Sequence, residues 1–347
     1  MKKGSDKIKV AISCGDINGI GLEVLIKSFL DTRMFESFTP LVYGNPATSK
    51  AYRKQLGTQD FSFHMIQNHL KFNAKKVNLI EITDTEVDIK FGNVTPEAGK
   101  LAYESIKSAT DALAANHADV LVTAPIHKQN IPWEDENIKG HTEYLANYAG
   151  EETPLMMMVH NNLRVGVVTG HIPLKEVSTV LTKKKIVDTL EVFRKSLVQD
   201  FNIHQPKIAV LGLNPHAGDN GVIGKEELDT IIPALEEFNS NNNIAIGPFA
   251  SDGFFGSGQF KKFDGVLAMY HDQGLIPFKT ISNNEGVNFT AGLPIVRTSP
   301  DHGTAFDIAG KNEADPMSFR NAIYLAADIF RNRKMYREIT QNSLKTK

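Results

Sequence analysis

Short aliphatic runs alternate along the chain with longer stretches whose apolar residues recur every third or fourth position. The runs at 8–13, 40–43, 120–124, 165–169, 208–213 and 266–270 predict strands, and the helical periodicity at 21–30, 96–115, 183–197, 226–238 and 321–338 predicts helices. Strand and helix in alternation is the pattern of βαβ units, so the fold class read from it is α/β with a mainly parallel sheet. Pro96 followed by Glu97 marks a helix start, since proline needs no amide there and the acid faces the positive end of the dipole. One stretch breaks the rhythm. In LMMMVHNNLRVGVVT, residues 155–169, two apolar runs flank Asn161-Asn162 with almost no spacer, which predicts an antiparallel hairpin and a mixed sheet. In VLAMYHDQGLIPFK, residues 266–279, an apolar strand stops at Tyr270-His271-Asp272, and the chain is expected to turn at Gly274.

Composition narrows the class of partner. With 347 residues the chain exceeds one typical core, and two domains are expected. Its 38 basic and 40 acidic side chains leave a formal charge of -2, too little positive field to hold a phosphate backbone or an anionic bilayer, so no nucleic acid and no membrane partner is expected. No apolar stretch approaches the roughly 20 residues that span a bilayer, and the basic start MKKGSDKIKVAISCG lacks the apolar run of a signal peptide. The expected location is the cytoplasm. The single cysteine, Cys14, has no second thiol with which to bridge.

Three predicted strands lead into a histidine within a few residues: VGVVTGH reaches His171, IAVLGLNPH reaches His216 and GVLAMYH reaches His271. Ligands of open α/β sheets bind beyond the carboxyl ends of strands, and three imidazoles can hold a divalent metal with a position open for water or substrate. The competing reading is three separate surface histidines, since no local metal motif joins them. A second group mixes cations and amides: His141 and Thr142 in GHTEYL, then Lys279, then Asn288 and Arg297 in GVNFTAGLPIVRTS. Arg297, after the apolar LPIV, can fork onto a phosphate or carboxylate; the plain alternative is a surface salt bridge. GDINGIGLEV follows the first strand and opens a helix as a phosphate-binding turn would. It lacks the third glycine of the dinucleotide fingerprint, however, and no acid closes the second strand, so its glycines are expected to permit a tight turn.

The stretches GDINGIG, VTAPIHK, GHTEYLA, TGHIPL, GLNPHAGDNG, GPFASDGFF, YHDQGLIPFK and GVNFTAGLPIVRTSPDHGTAFDIAGK resemble, in the same order and over nearly the whole length, the 4-hydroxythreonine-4-phosphate dehydrogenase family of vitamin B6 biosynthesis. The resemblance implies a two-domain fold like that of isocitrate and isopropylmalate dehydrogenases, with mainly parallel sheets, helices on both faces and a cleft between domains. It also implies an outer domain of residues 1–130 and 285–347 and a central one of 131–284. The loop PIHKQNIPWEDENIKG, with two prolines and mixed charge, is the expected crossing.

By the same resemblance, His171, His216 and His271 bind a divalent metal (zinc, magnesium or cobalt). His141, Thr142, Lys279, Asn288 and Arg297 contact a small phosphorylated substrate, in a homodimer whose subunits share each active site. DHGTAFDIAGKNEADP resembles the adenosine-binding loop of those dehydrogenases, which implies NAD or NADP near His302, Gly303, Thr304, Ala305, Asp307 and Ala309 without a Rossmann turn. Asp252 and Asp272 are candidates for orienting a ligand or relaying a proton. The chain departs from the family at Ile17 and Asn18, where proline and alanine are usual.

The implied reaction is metal-dependent, NAD(P)-linked oxidation of 4-phosphooxy-L-threonine to 2-amino-3-oxo-4-(phosphooxy)butanoate, which decarboxylates to 3-amino-2-oxopropyl phosphate. Two alternatives stand beside it: a paralogous dehydrogenase of 4-phospho-threonate or erythronate, and a three-histidine metal hydrolase without nicotinamide.

Overall fold

A computed structural model describes residues 7–58, 61–67, 71–85, 87–135, 138–150 and 154–341. Strands among the described residues are β1 (Ile8–Ser13), β2 (Phe38–Gly44), β3 (Phe63–Ile66), β4 (Val77–Glu81), β5 (Val120–Thr123), β6 (Leu155–His160), β7 (Leu163–Thr169), β8 (Lys207–Leu211), β9 (Ile244–Phe249), β10 (Gly265–Tyr270), β11 (Val287–Ala291) and β12 (Arg297–Pro300). The chain divides into two units. One is built from the chain up to Ala149 with Pro294–Phe330, the other from Gly150–Leu293 with the segment from Arg331 onward. These divisions fall later than the crossings at 130/131 and 284/285 read from the sequence. The helix His141–Ala149 stays with the first unit, and β11 pairs antiparallel to β6 inside the second.

In the first unit the strand order is β3-β4-β2-β1-β5-β12, and every neighbouring pair is parallel. β1, β2 and β5 are buried along nearly their full lengths, which is why they read as unbroken aliphatic runs rather than as alternation. The helix Pro96–Ala114 starts as its sequence predicts: Thr95 Oγ1 accepts the Ala98 amide at 3.2 Å, with Pro96 in the first position. Lys27 joins the beginning of this unit to its end, donating to Glu23 at 2.8 Å, to the Ala314 carbonyl at 2.8 Å and to the Asn312 carbonyl at 3.0 Å.

In the second unit the order is β11-β6-β7-β10-β8-β9. The sheet is mixed, as the hairpin motif predicts: β6 and β7 pair antiparallel around Asn161, which takes φ 51° in the turn. β7, β10, β8 and β9 run parallel. Gly274 does not turn the chain. It lies inside the helix His271–Ser282, where a Cβ would stand 2.9 Å from Val165 Cγ1 and 3.0 Å from Ala268 Cβ. The glycine lets the helix press against β7 and β10, and Leu275 and Phe278 on the same face enter a core with Val165, Val167, Leu211 and Val266. Asn283, left-handed at φ 46°, ends the helix. No helix among the described residues is long and apolar enough to cross a membrane.

Candidate functional site

The three strand-end histidines follow three strands that lie side by side. β7 and β8 flank β10, all parallel, so their carboxyl ends open on one edge of the second unit. His171 comes two residues after β7, His271 is the first helical residue after β10, and His216 comes five residues after β8. The rings of His171 and His271 are 5.4 Å apart between centroids, and a hollow of about 440 Å³ beside them is lined by Gly170, Ile172, Leu174, Val177, Tyr270 and Asp272. Among the described residues no three His, Cys, Asp or Glu side chains are close enough together to hold a metal, so His216 does not join the other two within one chain.

Asp272, exposed at the rim, resolves the puzzle of a carboxylate beside a ligand candidate. Its Oδ1 lies 2.6 Å from His271 Nδ1. An ionised carboxylate can only accept, so Nδ1 carries the hydrogen and Nε2 keeps its lone pair for coordination. Neighbouring residues of a strand could not meet this way, but His271 has already entered the helix. Two neighbouring imidazoles, their planes 44° apart and one held in the coordinating tautomer, are a donor set that fits a borderline divalent ion. Gln273, unremarked in the sequence, ties the frame together. It accepts the Met269 amide at 2.7 Å, donates to Ser251 Oγ at 2.8 Å and also donates to the Gly212 carbonyl. Asp252 is the exposed residue after Ser251 in the short helix Ser251–Gly256.

His216 opens an unusual stretch. His216, Ala217, Gly218, Asp219 and Asn220 take φ values of 54°, 52°, 78°, 43° and 52°, five left-handed residues in succession. For each non-glycine residue this conformation costs about 1–2 kcal/mol, so surrounding contacts must impose it. Lys279 and Asn288 also belong to this unit. Lys279 is exposed in the last turn of the helix that His271 begins, and Asn288 sits on β11 with Oδ1 buried and without a hydrogen bond. The structure does not bring Lys279 to His271: eight residues at 1.5 Å each separate them by about 12 Å along the axis.

The first unit gathers the other candidates. Arg297 opens β12 beside β5 and is 2 % exposed, so it is no surface salt bridge. Its Nε and Nη2 donate to Thr123 Oγ1 at 3.1 and 2.6 Å. Burial pulls its guanidinium down to about 10, against the opposing pull of Glu143. His141 and Thr142 begin the helix His141–Ala149, where first-turn amides lack helical acceptors. The His141 ring is held well below its ordinary range, first by burial and then by Arg297 and Lys128, and its buried Nε2 makes no hydrogen bond. Lys128, inside the VTAPIHK motif, approaches the same corner: a Cβ on Gly140 would meet its Cε at 3.3 Å. A neutral histidine, a buried guanidinium and an ammonium make a corner suited to an anion.

The segment His302–Ala309 meets GDINGIG in this unit. The Thr304 carbonyl accepts the Ile20 amide at 3.0 Å, and a Cβ on Gly19 would stand 2.8 Å from that oxygen, so this glycine serves a close approach. Gly15, at φ 68°, does serve a tight turn. Phe306 stacks on His127, centroids 5.6 Å apart, and Ala305 is left-handed at φ 44°. Gly303 and Asp307 are exposed, Ala309 is buried, and His302 keeps a buried Nε2 without a hydrogen bond. Asn18, where the chain departs from the family, is fully buried and latches a neighbouring segment: it donates to the Asn93 carbonyl at 2.9 Å and to Thr95 Oγ1 at 3.2 Å, and accepts the Lys90 amide at 2.7 Å. Alanine could make none of these bonds.

The family described as pyridoxal phosphate biosynthetic protein PdxA matches residues 36–326. A 4-hydroxythreonine-4-phosphate dehydrogenase of Bacteroides thetaiotaomicron is 47% identical over 98% of this chain and 93% of its own. A provisionally named D-threonate 4-phosphate dehydrogenase of Clostridium botulinum is 33% identical over 93% of this chain and 97% of its own. Among solved structures, a 4-hydroxythreonine-4-phosphate dehydrogenase of Klebsiella pneumoniae superposes with a TM-score of 0.80 at 33% identity, covering 95% of this chain and 99% of that one. The isocitrate dehydrogenase of Methylococcus capsulatus, at 14% identity and a TM-score of 0.50 over 96% of this chain and 89% of that one, shares the fold.

Proposed function

The chain belongs to the PdxA family of pyridoxal phosphate biosynthetic proteins, and on that premise we propose that it oxidises 4-phosphooxy-L-threonine in the cytoplasm, with NAD or NADP as acceptor and a divalent metal as cofactor. The product, 2-amino-3-oxo-4-(phosphooxy)butanoate, is a β-keto acid that loses carbon dioxide to give 3-amino-2-oxopropyl phosphate. The observation that carries the reading is the delivery of His171, His271 and His216 by three adjacent parallel strands, with Asp272 fixing the tautomer of His271.

His171, His216 and His271 would hold the ion, zinc by ligand softness, with magnesium or cobalt served where substrate oxygens complete the set. When bound, the ion supplies Lewis-acid stabilisation of negative charge on oxygen in both steps, and the nicotinamide accepts the hydride. The chain's own residues do the rest. Arg297, the neutral His141, Thr142, Lys279 and Asn288 bind the phosphorylated substrate, the guanidinium as a fork for the phosphate. Asp272 orients His271, and Asp252 takes up a proton. His302, Gly303, Thr304, Ala305, Asp307 and Ala309 form the cradle for the nucleotide.

The working unit is a homodimer that completes each site across subunits. Supporting this, each metal-ligand candidate is followed within six residues of the chain by a large apolar residue left in solvent: Leu174 is 70 % exposed, Val222 79 % and Ile276 64 %. The distance of Lys279 from His271 along their helix points the same way, since a lysine too far from its own histidine can serve the partner's.

The 33% identity to a D-threonate 4-phosphate dehydrogenase keeps one second reading, the same chemistry on a substrate without the amine. The test is nicotinamide reduction by the purified chain with 4-phosphooxy-threonine and with 4-phospho-threonate, before and after chelation. Reduction with the amine substrate that chelation abolishes is expected. Turnover of phospho-threonate alone overturns the substrate, and phosphate release without nicotinamide reduction makes the protein a hydrolase.

A further inference from the structure

The left-handed run that carries His216 is shaped by a carboxylate from farther along the chain. Glu227 is 2 % exposed and opens a π-turn, Glu227–Ile231, a widened helical form frequent at functional sites. Its Oε1 accepts the backbone amides of Leu213 and Asn214, both at 2.7 Å. Its Oε2 accepts the side-chain amide of Asn214 at 2.9 Å, and that amide also reaches Glu226 at 2.8 Å. On the far side of the loop a Cβ at Gly218 would stand only 2.5 Å from Oε2, and on the near side one at Gly212 would stand 3.1 Å from Oε1. The carboxylate thus fills the hollow of the loop, gripping the chain before His216 and leaving space for nothing larger than glycine after it. Removing the grip frees the two amides and leaves the left-handed run to three backbone bonds, from the Ala217 amide to the Asn214 carbonyl, from Val222 to Asp219 and from Ile223 to Gly218.

We propose that Glu227 is a positioning residue for metal binding, setting the place and direction of His216 without touching the ion. The inference rests on the reading of His216 as a ligand given above. It adds a buried anion, 11 residues further on, whose role is to aim that ligand rather than to hold the fold.

Co2+ is the probe, added to the full-length metal-stripped protein and followed by its d–d absorption, with thermal unfolding recorded alongside. The expected result is wild-type binding with a defined spectrum, and a fall in Co2+ affinity of about 10- to 100-fold with an altered spectrum in Glu227→Ala. Glu227→Gln, whose carbonyl still accepts the two backbone amides, recovers most of the loss. A role confined to the fold would lower the unfolding temperature of Glu227→Ala and leave the affinity and spectrum of the folded protein unchanged, which overturns the inference. If Glu227→Ala does not fold, Asn214→Ala decides by the same readout: weaker Co2+ binding supports the inference and unchanged binding overturns it. Wild-type protein that binds no Co2+ overturns the metal reading itself, whereas wild-type binding with indifferent variants overturns the role of Glu227 alone.

Discussion

His271 donates from Nδ1 to the carboxylate of its own neighbour, Asp272, across 2.6 Å. The contact is possible because the strand β10 ends at Tyr270 and the helix begins at His271, so the two side chains need not point to opposite faces.

Asp272→Ala is therefore expected to weaken metal binding by about 10- to 100-fold and to lower turnover with it. Titration of the metal-stripped variant with Co2+ reads this directly. Wild-type affinity in the variant would show that the carboxylate does not hold the ring.

His141 gives a dependence on pH. Burial, Arg297 and Lys128 all disfavour its protonated form, so the folded pKa lies well below 6.5 while the unfolded chain titrates near that value. Between the two the unfolded state binds the extra proton. The contribution to stability is complete above about 6.5 and is lost as the pH falls toward the folded pKa. His141→Asn should lose less stability than the wild type between about pH 7.5 and about pH 5.5 in urea unfolding; equal losses would remove His141 as the cause.

Gly274→Ala places a methyl 2.9 Å from Val165 Cγ1, and overpacking of this kind costs about 1–3 kcal/mol. Because the displaced helix carries His271, Co2+ affinity should fall together with stability. A variant as stable as the wild type would mean that the helix moves away freely.

Arg333 and Asp200 form a buried pair, Nε to Oδ1 at 2.6 Å, with Arg333 also donating to the Leu293 carbonyl at 2.9 Å and Ser196 to Asp200 at 2.7 Å. Arg333→Ala leaves a buried carboxylate without its cation, and a loss of about 3–5 kcal/mol is expected in denaturant unfolding. A loss below about 1 kcal/mol would class the pair with exposed ones.

A shared site makes subunits complementary. His271→Ala and Lys279→Ala proteins, each inactive, should regain activity when unfolded together and refolded, since a mixed dimer contains one site with both residues intact. Mixtures as inactive as their parents count against sharing.

What could be read from the sequence depended on range. The strands 8–13, 120–124 and 266–270 were legible because burial on both faces writes itself as an aliphatic run, and the histidines stood out because each ends such a run. β12 was not legible: Arg-Thr-Ser-Pro has the composition of a loop and becomes a strand by pairing with β5. The helix His271–Ser282 was hidden by Gly274 and Pro277, both helix-breaking by propensity, and forms because Leu275 and Phe278 bury against the sheet. Glu227 could not be connected with His216, nor Arg297 with Thr123, 174 residues earlier, because those relations exist only after folding. Gln273 offered a faint signal, a polar residue two positions after a candidate ligand, which spacing alone did not distinguish.

The bond between Asp200 and Arg333 spans 133 residues, and Lys27 reaches Ala314 across 287. At a synthesis rate of about 5–20 residues per second, an emerging chain exposes Asp200 for roughly 7 to 27 seconds before its cation leaves the ribosome. The first unit likewise waits for residues 312–314 and the second for Arg333, so neither makes these contacts until that stretch is synthesised. Until that stretch arrives Asp200 lacks its cation and Lys27 two of its acceptors, and a truncation before residue 312 would be felt 285 residues earlier.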